Sequence, residues 1–496
     1  MKTARLFLFL ICISNQGYSE LVWNKNCLEA YAQVIKLNFK LGEQLILKEK
    51  IAHPNNHTVL YLESQIDFLK TFISAEDKNL DILKERNENR IKIISAEDKK
   101  NPNTLLFLGE FYAQLSAARF KHKEYIGAVY DIRKAHKYIE QNQKLFPDFK
   151  PNLKVLGLIH TTVGAIPKNY SWAAGIVGLN GTINKGLEEL RILLKATYKQ
   201  PEYSYLRDEV IVLLTFLEIN LGKEKNIDLI RQRFNTIENI TDNQLLLFSK
   251  CVFHNSIAEN DSVIELLSNR RQSTETLRLD YLDYMEGVAR LNNLEFDAQQ
   301  KFTKYLTTYK GKAFRFAAYQ KIAWCKLLEG KIAEYQNTMK NCIPKKSSDL
   351  MTEEDEQANK DALSGIIPNP ILLRSRLLYD GGYYNRAIVE LAGKSPDKFP
   401  TQKDKLELTY RMARIFDKQK KYDKAILFYN ETLKNGNLQT YYFAANSSLM
   451  LGQLYEELKD YANAEKYYLI TLELRDHEYQ NSIDRKAKAG LNRIGK

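Results

Sequence analysis

The most constraining stretch of the chain is a pair of amphipathic patterns between Ser448 and Leu474. Residues that recur at spacings of three and four lie on one face of an α-helix. The first pattern places on such a face Leu451, Gly452 and Tyr455, and the second places Ala464, Tyr468 and Thr471. The small residues at 452 and 464 let two helices approach closely, and the tyrosines fill the space beside them. The stretch therefore predicts an antiparallel helical hairpin.

The same pattern recurs upstream at a nearly regular period. The small residues of successive second helices, Ala387, Ala425 and Ala464, are about 38 residues apart. An earlier segment has the same design around Gly287 and Ala298. Self-similarity of this kind is typical of stacked helical hairpins. The sequence therefore predicts an all-α fold, an α-solenoid of helical hairpins. Hydrophobic residues at 44%, interspersed with charged residues at 27%, suit amphipathic helices.

The first residues have the pattern of an export signal. Lys2 and Arg5 provide a positive start, 6–13 is a short apolar run, and Gly17 and Ser19 are small residues at the cleavage positions. We therefore expect cleavage after Ser19 and export to the periplasm or cell surface of a bacterium. Without Lys2 and Arg5, the 73 basic residues become 71 against 61 acidic ones, a net charge of +10. No later segment is long and apolar enough to span a bilayer, so no transmembrane helix is expected after cleavage.

The densest basic cluster is at the C-terminal end and comprises Arg485, Lys486, Lys488, Arg493 and Lys496. A basic tail is attracted to anionic lipid or polysaccharide. A frayed, solvated helix end carries the same residues without any partner. The sequence favours the frayed end and leaves peripheral membrane contact open. Nucleic acid is not an expected partner, because an exported protein rarely meets it.

Five segments follow from these patterns. They are the signal peptide at 1–19, N-terminal helical hairpins at 20–155, a glycine- and tryptophan-containing insertion at 156–190, middle helical hairpins at 191–275 and C-terminal repeats at 276–496. The insertion contains six glycines, each of which costs about 1 kcal/mol relative to alanine inside a helix. We therefore expect a bent, partly buried loop that leads into a helix capped near Thr182 or Asn180.

Three blocks of the chain resemble a known family. They are 157–187, with Tyr170-Ser-Trp172 and Gly178-Leu-Asn-Gly181; 281–319, which begins Tyr281-Leu-Asp-Tyr-Met-Glu-Gly287; and 372–384, with Asp380-Gly-Gly-Tyr383. Together they resemble tetratricopeptide repeat proteins related to the eukaryotic mitochondrial outer-membrane and inclusion-body-clearance group, which has many exported bacterial members. The resemblance extends from Asn103 to Leu474 and implies an α-solenoid and protein–protein interaction, without catalytic residues. The export signal at the start of this chain is a departure from the pattern of the eukaryotic members of the family.

Aromatic and arginine side chains of the first helices are the candidate partner-binding residues. In the tetratricopeptide arrangement, the exposed side of each first helix lines a concave groove. By spacing, we expect this groove to be faced by Arg376, Tyr379, Tyr410, Arg414, Gln453 and Glu456. Large aromatic surfaces and directed arginine hydrogen bonds suit recognition of a protein or peptide. The main hypothesis is a non-enzymatic scaffold for protein–protein interaction in the cell envelope.

Two other classes of function compete with a protein scaffold. Glycan binding is the alternative, because some exported carbohydrate-binding proteins have a similar helical core, although tryptophan numbers only three here. Enzymatic activity is not expected, because the chain has no GxSxG, HExxH or phosphate-loop motif. Its histidines, among them His136 and His160, are scattered one per helix or loop. The sequence predicts no cofactor and no metal site.

The four cysteines beyond residue 19 are predicted to be small buried residues. They are Cys27, Cys251, Cys325 and Cys342, and their spacing fits no zinc signature. Cys325 and Cys342 fall on the two arms of one predicted hairpin, at unequal distances from its apex near Gly330. The sequence leaves open whether these two thiols pair.

Overall fold

The computed structural model of the chain describes residues 20–166, 179–222, 226–271 and 274–496. Within these ranges there are 24 α-helices, a few short 3₁₀ turns and one isolated β-bridge between Glu20 and Asn56. The chain divides into two compact units. Unit 1 comprises Met1–Phe253 and Asn269–Leu279, and unit 2 comprises His254–Ser268 and Asp280–Lys496.

Two of the sequence predictions fall on residues that the structure does not describe. The signal peptide occupies residues 1–19, and Trp172 belongs to the range 167–178. Both stay predictions.

Unit 1 is a series of helices joined mostly by short turns. Its helices are α1 (Lys25–Ile35), α2 (Phe39–Ala52), α3 (Thr58–Ser74), α4 (Asp77–Ser95), α5 (Pro102–Lys121), α6 (Tyr125–Leu145), α7 (Asn152–Ala165), α8 (Ile183–Lys199), α9 (Arg207–Leu221) and α10 (Ile227–Asn235), followed by α11 (Gln244–Ser256), which reaches the boundary of the unit. Consecutive helices pack against each other, most extensively α5 with α6 and α7 with α8.

Polar side chains define where several of these helices begin. The Asn24 side chain accepts a hydrogen bond from the backbone N–H of Cys27. Asn101 caps α5 in a similar way, with Pro102 at the first helical position. A first turn has backbone N–H groups without helical partners, so a polar cap satisfies one of them and a proline there loses no hydrogen bond. These boundaries are therefore encoded locally.

Glycines allow the two helices of a hairpin in unit 1 to approach closely. A methyl group added at Gly109 in α5 would lie 2.4 Å from the side chain of Ile139 in α6. One added at Gly157 in α7 would lie 2.8 Å from the backbone oxygen of Gly186 in α8. Real side chains essentially never approach a neighbour this closely. These positions therefore require the absence of a side chain.

The glycine-containing insertion is more helical than its composition predicts. Residues 156–165 belong to α7, so the expectation of a loop is wrong over this part. Close packing of α7 on α8 at Gly157 and Gly186 offsets the unfavourable helix propensity of glycine, about 1 kcal/mol per residue. The predicted cap at Thr182 is confirmed, because its side chain accepts a backbone N–H from the first turn of α8.

A buried ionic cluster lies in the core of unit 1. The Lys154 ammonium is 2.9 Å from the Glu110 carboxylate and 2.8 Å from the Glu209 carboxylate, and it also donates to the Tyr61 hydroxyl. Burial raises the pKa of Glu110 to about 7, against the attraction of Lys154. One ammonium thus faces two carboxylates, so the cluster contains no cation in excess.

Unit 2 continues the series with thirteen helices. They are α12 (Asn260–Ser268), α13 (Tyr281–Asn292), α14 (Ala298–Thr308), α15 (Arg315–Leu328), α16 (Ile332–Met339), α17 (Glu353–Ser364), α18 (Pro370–Asp380), α19 (Tyr384–Leu391), α20 (Gln402–Lys418), α21 (Tyr422–Gly436), α22 (Phe443–Glu457), α23 (Tyr461–Glu473) and α24 (Gln480–Arg493). Each of the pairs α13–α14, α15–α16, α18–α19, α20–α21 and α22–α23 forms a hairpin.

The predicted small residues lie where the hairpins of unit 2 close. Ala387, Ala425 and Ala464 are all fully buried. A methyl group at Gly452 of α22 would lie 2.6 Å from the ring of Tyr468 in α23. The recurring spacing in the sequence therefore marks the contact between the two helices of each hairpin.

One helix of unit 2, α17, interrupts the series of hairpins. Thr352 caps its acidic first turn. Within that turn, the Asp355 carboxylate accepts hydrogen bonds from the backbone N–H groups of Phe314, Phe316 and Ala317. These groups belong to the start of α15, where a helix attracts a negative charge. The acidic helix is thereby attached to α15.

The described residues of each unit are helical hairpins packed in series, so the predicted all-α fold of tetratricopeptide-like hairpins is confirmed. No described helix combines the length and apolar character that crossing a membrane requires. The four described cysteines are buried and free, so Cys325 and Cys342 do not form a disulfide.

Replacing Gly452 by alanine is expected to destabilise unit 2. The added methyl group would lie 2.6 Å from the Tyr468 ring, which also packs against Gly490 of α24. Overpacking of this kind costs about 1–3 kcal/mol, which exceeds the gain of up to about 1 kcal/mol from placing alanine in a helix. We expect a lower midpoint in thermal or urea unfolding. The control is Gly127→Ala, where the nearest atom to the methyl group is the end of the Arg119 side chain rather than a packed ring, and its midpoint should fall less. Equal losses in both variants would contradict the role of close approach.

Candidate functional site

Four of the predicted groove residues lie together around one cavity of unit 2. The cavity has a volume of about 160 Å³. It is lined by Arg376, Tyr379, Asp380, Tyr410, Arg411, Arg414 and Tyr442. These residues come from α18, from α20 and from the position that precedes α22, which are the first helices of three successive hairpins. We call this site the arginine–tyrosine cavity.

Helical spacing explains why these side chains converge. Arg376 and Tyr379 are three residues apart on α18, and Tyr410 and Arg414 are four residues apart on α20. Residues at these spacings share one face of a helix. Because α18 packs against α20, their two faces adjoin and form the walls of the cavity. The convergence follows from the repeat itself.

Two tyrosine hydroxyls hold the guanidinium of Arg414. Its Nη1 donates to the Tyr410 hydroxyl at 2.7 Å, and its Nη2 donates to the Tyr379 hydroxyl at 2.8 Å. The guanidinium also lies 4.9 Å from the centre of the Tyr379 ring. The amide of Asn446 in α22 donates to the Tyr410 hydroxyl as well. Burial raises the pKa of Tyr379 to about 12, so this hydroxyl is neutral at neutral pH.

The cavity contains one arginine that forms no ion pair with the described residues. Arg411 forms an ion pair with Glu407, and Arg376 lies 3.7 Å from Asp380. Arg414, by contrast, forms no ion pair with any carboxylate in the described part of the chain, and its hydrogen bonds go to tyrosine hydroxyls. Asp417, three residues later on α20, interacts with its charge at longer range. Burial opposes its charged form, but the neighbouring tyrosine oxygens outweigh this effect and raise the pKa of Arg414. A permanent positive charge therefore remains at the cavity.

A second cationic pair adjoins the cavity at Trp324 of α15. The Arg376 guanidinium lies 5.2 Å from the Trp324 ring centre, and the Lys321 ammonium lies 3.7 Å from it. An aromatic face attracts a cation, so one ring stabilises both groups. Burial and the neighbouring Arg376 lower the pKa of Lys321 to about 7. The lysine is thus close to losing its proton at neutral pH.

The loop before α24 meets α17 beside the cavity. The ring of Tyr479 contacts the ring of Tyr442, with centres 5.5 Å apart and planes nearly perpendicular. The Tyr479 hydroxyl donates a hydrogen bond to the side-chain oxygen of Gln357 in α17. Because Tyr442 lines the cavity, this contact between two distant parts of unit 2 lies at its edge.

The other two predicted groove residues do not join the cavity. Glu456 accepts hydrogen bonds from Nε and Nη2 of Arg493 at 2.7 and 2.8 Å, and it also accepts one from the Tyr468 hydroxyl. Gln453 does not line the cavity either. The reason is that α24 packs on α22 and α23 after the last hairpin. Its Arg493 occupies the side of α22 on which Glu456 lies. Whether any of the six residues binds a partner stays a prediction.

Spacing on a single helix could have identified some of the residues that the sequence analysis missed. Asp380 is four residues after Arg376, and Trp324 is three residues after Lys321, so each pair shares a helix face. Tyr442 gives no such signal, because it precedes α22 rather than belonging to it. Its position at the cavity depends on how the hairpins stack.

Unit 1 contains a second, larger cavity of about 310 Å³ between α6, α7 and α8. The His160 ring lies at its wall, with Nδ1 2.6 Å from the Glu189 carboxylate and Nε2 3.3 Å from the Lys185 ammonium. Both ring nitrogens are therefore engaged. His136, predicted to be an isolated histidine, lies with its ring centre 6.0 Å from that of His160. No group of three or more ligating side chains suited to a metal ion occurs among the described residues.

Comparisons with known proteins add little beyond the fold. No family model and no curated protein matches the sequence. Among solved structures, 33 chains match. One belongs to the crystal structure of the APC/C hetero-tetramer Cut9-Hcn1: the two chains are 12% identical, the match covers 88% of this chain and 96% of that one, and the TM-score is 0.21. A TM-score this low carries no argument, so the description of the chain as a tetratricopeptide-like helical protein rests on the hairpins described above.

Replacing Lys321 by methionine is expected to change how stability depends on pH. The pKa of Lys321 is lowered from 10.5 to about 7, so over that interval the unfolded chain binds this proton more than the folded chain does. The free energy of unfolding of the native protein therefore gains a contribution that rises with pH across this interval. Lys321→Met removes that contribution. The free energy of unfolding of the variant, relative to that of the native protein, should therefore be higher near pH 7 than near pH 9.

Urea unfolding at several pH values measures this difference. The matched control is Lys326→Met on the same helix, which removes a lysine that is paired with Glu334 at 3.1 Å. If the native protein and Lys321→Met show parallel stability profiles, the burial of Lys321 beside Arg376 does not shift its titration.

Proposed function

We propose that this protein is an exported, non-enzymatic helical-repeat scaffold that binds an acidic segment of a protein or peptide partner in the cell envelope. The observation that carries the proposal is Arg414, a permanent cation that is held in place by two tyrosine hydroxyls and forms no ion pair with a carboxylate among the described residues. The fold supports a protein partner, because stacked helical hairpins build long surfaces from successive first helices.

An acidic group is the ligand that best complements this cation. An arginine presents several N–H donors in one plane, which match the two oxygens of a carboxylate. A hydrogen bond to a charged group contributes about 1.5–3 kcal/mol, and a partly desolvated site increases the electrostatic part. Arg376 also lines this cavity. Its distance to the Asp380 carboxylate, 3.7 Å, is longer than that of a close ion pair. Two arginines can thus approach one incoming acidic group.

The size of the cavity restricts how the partner enters. A volume of about 160 Å³ accepts an acidic side chain or a chain terminus and is too small for a segment of helix. The contact of Tyr479 with Gln357 and Tyr442 bounds one edge. We therefore propose that the partner inserts the end of an aspartate, a glutamate or a C-terminal carboxylate, while the rest of its chain lies outside the cavity.

The glycan alternative receives no comparable support. Sugar rings are bound in proteins through open aromatic faces, and the Tyr379 ring is approached by the Arg414 guanidinium at 4.9 Å. The cavity of unit 1 is lined by charged and amide groups, two leucines and His160, without a phenylalanine, tyrosine or tryptophan. We therefore retain the protein scaffold.

Export is the part of the proposal that rests on sequence alone. Its support is the positive start at Lys2 and Arg5, the apolar run at 6–13 and the small residues before Glu20. N-terminal sequencing of the protein recovered from its native host tests it. Export predicts a mature chain that begins at Glu20, and a chain that retains residues 1–19 in the cytosol would contradict it.

Binding of short acidic peptides tests the proposed site. The probes are a fluorescently labelled peptide rich in aspartate and glutamate and the same peptide with glutamine and an amidated C-terminus, measured by anisotropy. We expect the acidic peptide to bind more tightly by about tenfold or more, and we expect added salt to weaken it. Equal affinity for the two peptides would contradict the proposal.

Two variants place the binding in the cavity. Arg376→Gln removes one positive charge that lines the cavity and leaves the hydrogen bonds of Arg414 to Tyr379 and Tyr410 in place. A loss of binding therefore cannot be attributed to loss of those hydrogen bonds. The matched control is Arg374→Gln on the same helix, which removes the same charge but lies outside the cavity and pairs with Glu390. We expect the first variant to lose affinity and the second to retain it; equal affinities would refute the assignment of the site.

A further inference from the structure

The end of the α5–α6 hairpin in unit 1 carries an exposed cluster of apolar side chains. Ile126 is 91% exposed, Phe120 66% and Tyr130 57%. Ile126 and Tyr130 are four residues apart on α6 and share its outer face. The rings of Phe120 and Tyr125 are in contact, with centres 5.4 Å apart. Single exposed apolar residues are common, but a contiguous cluster on one surface indicates a binding surface.

Basic residues surround this apolar cluster. Between positions 119 and 137 the chain has six basic and two acidic residues. Arg133 and Lys137 continue the outer face of α6, and both are exposed. The Lys134 ammonium lies 4.6 Å from the Tyr130 ring centre, and that of Lys121 lies 4.5 Å from the ring centre of Phe72. The apolar side chains are therefore bordered by cations.

Both acidic residues between positions 119 and 137 are paired with cations. Glu124 forms ion pairs with Lys84 and Arg119, each at 2.6 Å. Asp131 is buried and paired with Arg119 at 2.8 Å. Asp77 of α4, which adjoins the hairpin, lies 2.9 Å from His122. On the outer face of α6, Arg133 and Lys137 carry two positive charges and Glu140 is one exposed carboxylate, so the net charge offered to a partner is positive.

We propose that this surface, formed by Phe120, Tyr125, Ile126, Tyr130, Arg133 and Lys137 and called the α6 surface below, docks on an anionic lipid bilayer. A protein surface that docks at a membrane interface buries apolar side chains among the acyl chains, places aromatic residues at the headgroups and directs cations to lipid phosphates. The α6 surface has all three kinds of side chain in one place.

The charge gradient along α6 also fits a bilayer. Ile126 and Tyr130, near the start of the helix, are apolar or aromatic, whereas Arg133 and Lys137 follow one and two turns later. This order lets the tip of the hairpin enter the interface while the cations remain at the depth of the phosphates. The inference concerns unit 1 and does not depend on peptide binding in unit 2.

Vesicle flotation of the full chain tests the proposal. The probes are vesicles of phosphatidylglycerol with phosphatidylethanolamine and vesicles of phosphatidylcholine alone. We expect flotation with the anionic vesicles, weakened by added salt, and little flotation with the neutral ones. Ile126→Glu/Tyr130→Glu should lower partitioning by about tenfold or more, and Arg133→Gln/Lys137→Gln by about tenfold.

The control is Leu438→Glu, which adds one glutamate at an apolar residue that is 89% exposed in unit 2; it should float like the native protein. Circular dichroism verifies that each variant remains helical. If Ile126→Glu/Tyr130→Glu unfolds, Arg133→Gln/Lys137→Gln still tests the proposal. Equal flotation of native protein and both α6 variants would overturn the proposal. The proposal would also be overturned if light scattering showed that the native protein is an oligomer and that only the α6 variants are monomeric. The surface would then bind a second copy of the chain.

Discussion

The close approach of two helices at a small residue is the constraint on which both units depend. At Gly109, Gly157 and Gly452 a single added carbon atom would collide with the facing helix. Packing at this distance buries the rest of each hairpin face, and dense apolar packing is the main favourable contribution to folding. This close packing also determines the direction in which the outer face of each first helix points. The positions of the candidate binding residues follow from that direction.

Two cations, the buried Lys154 and the half-buried Arg414, illustrate how charge compensation separates a structural residue from a candidate binding residue. Lys154 in unit 1 lies between the carboxylates of Glu110 and Glu209, so its positive charge is already compensated inside the fold. Arg414 in unit 2 is held only by the neutral hydroxyls of Tyr379 and Tyr410. A buried charge is unfavourable unless it is paired, and an acidic group from a partner would supply the missing counter-charge. The same principle explains why Lys154 is assigned to the core and Arg414 is offered as a site.

Much of the fold and part of the site could be predicted because the information is local. The positions of Gly452 and Ala464, the cap at Thr182 and the shared faces of Arg376 with Tyr379 and of Tyr410 with Arg414 all follow from helical spacing and side-chain chemistry. Helical content in 156–165 was not predictable in this way. Its glycines are unfavourable in an isolated helix and become favourable only when α8 packs against them.

The sequence by itself determined the helical hairpins, their period and the arginine and tyrosine side chains that the first helices present. Only the tertiary structure decided which of those side chains meet. It left Arg414 without a carboxylate, it turned Glu456 toward Arg493 of α24, and it brought His136 and His160 together from separate helices. The physical reason is that periodicity specifies the face of a helix on which a residue lies. The counter-charge, burial and neighbours of that residue depend on segments that are distant in sequence.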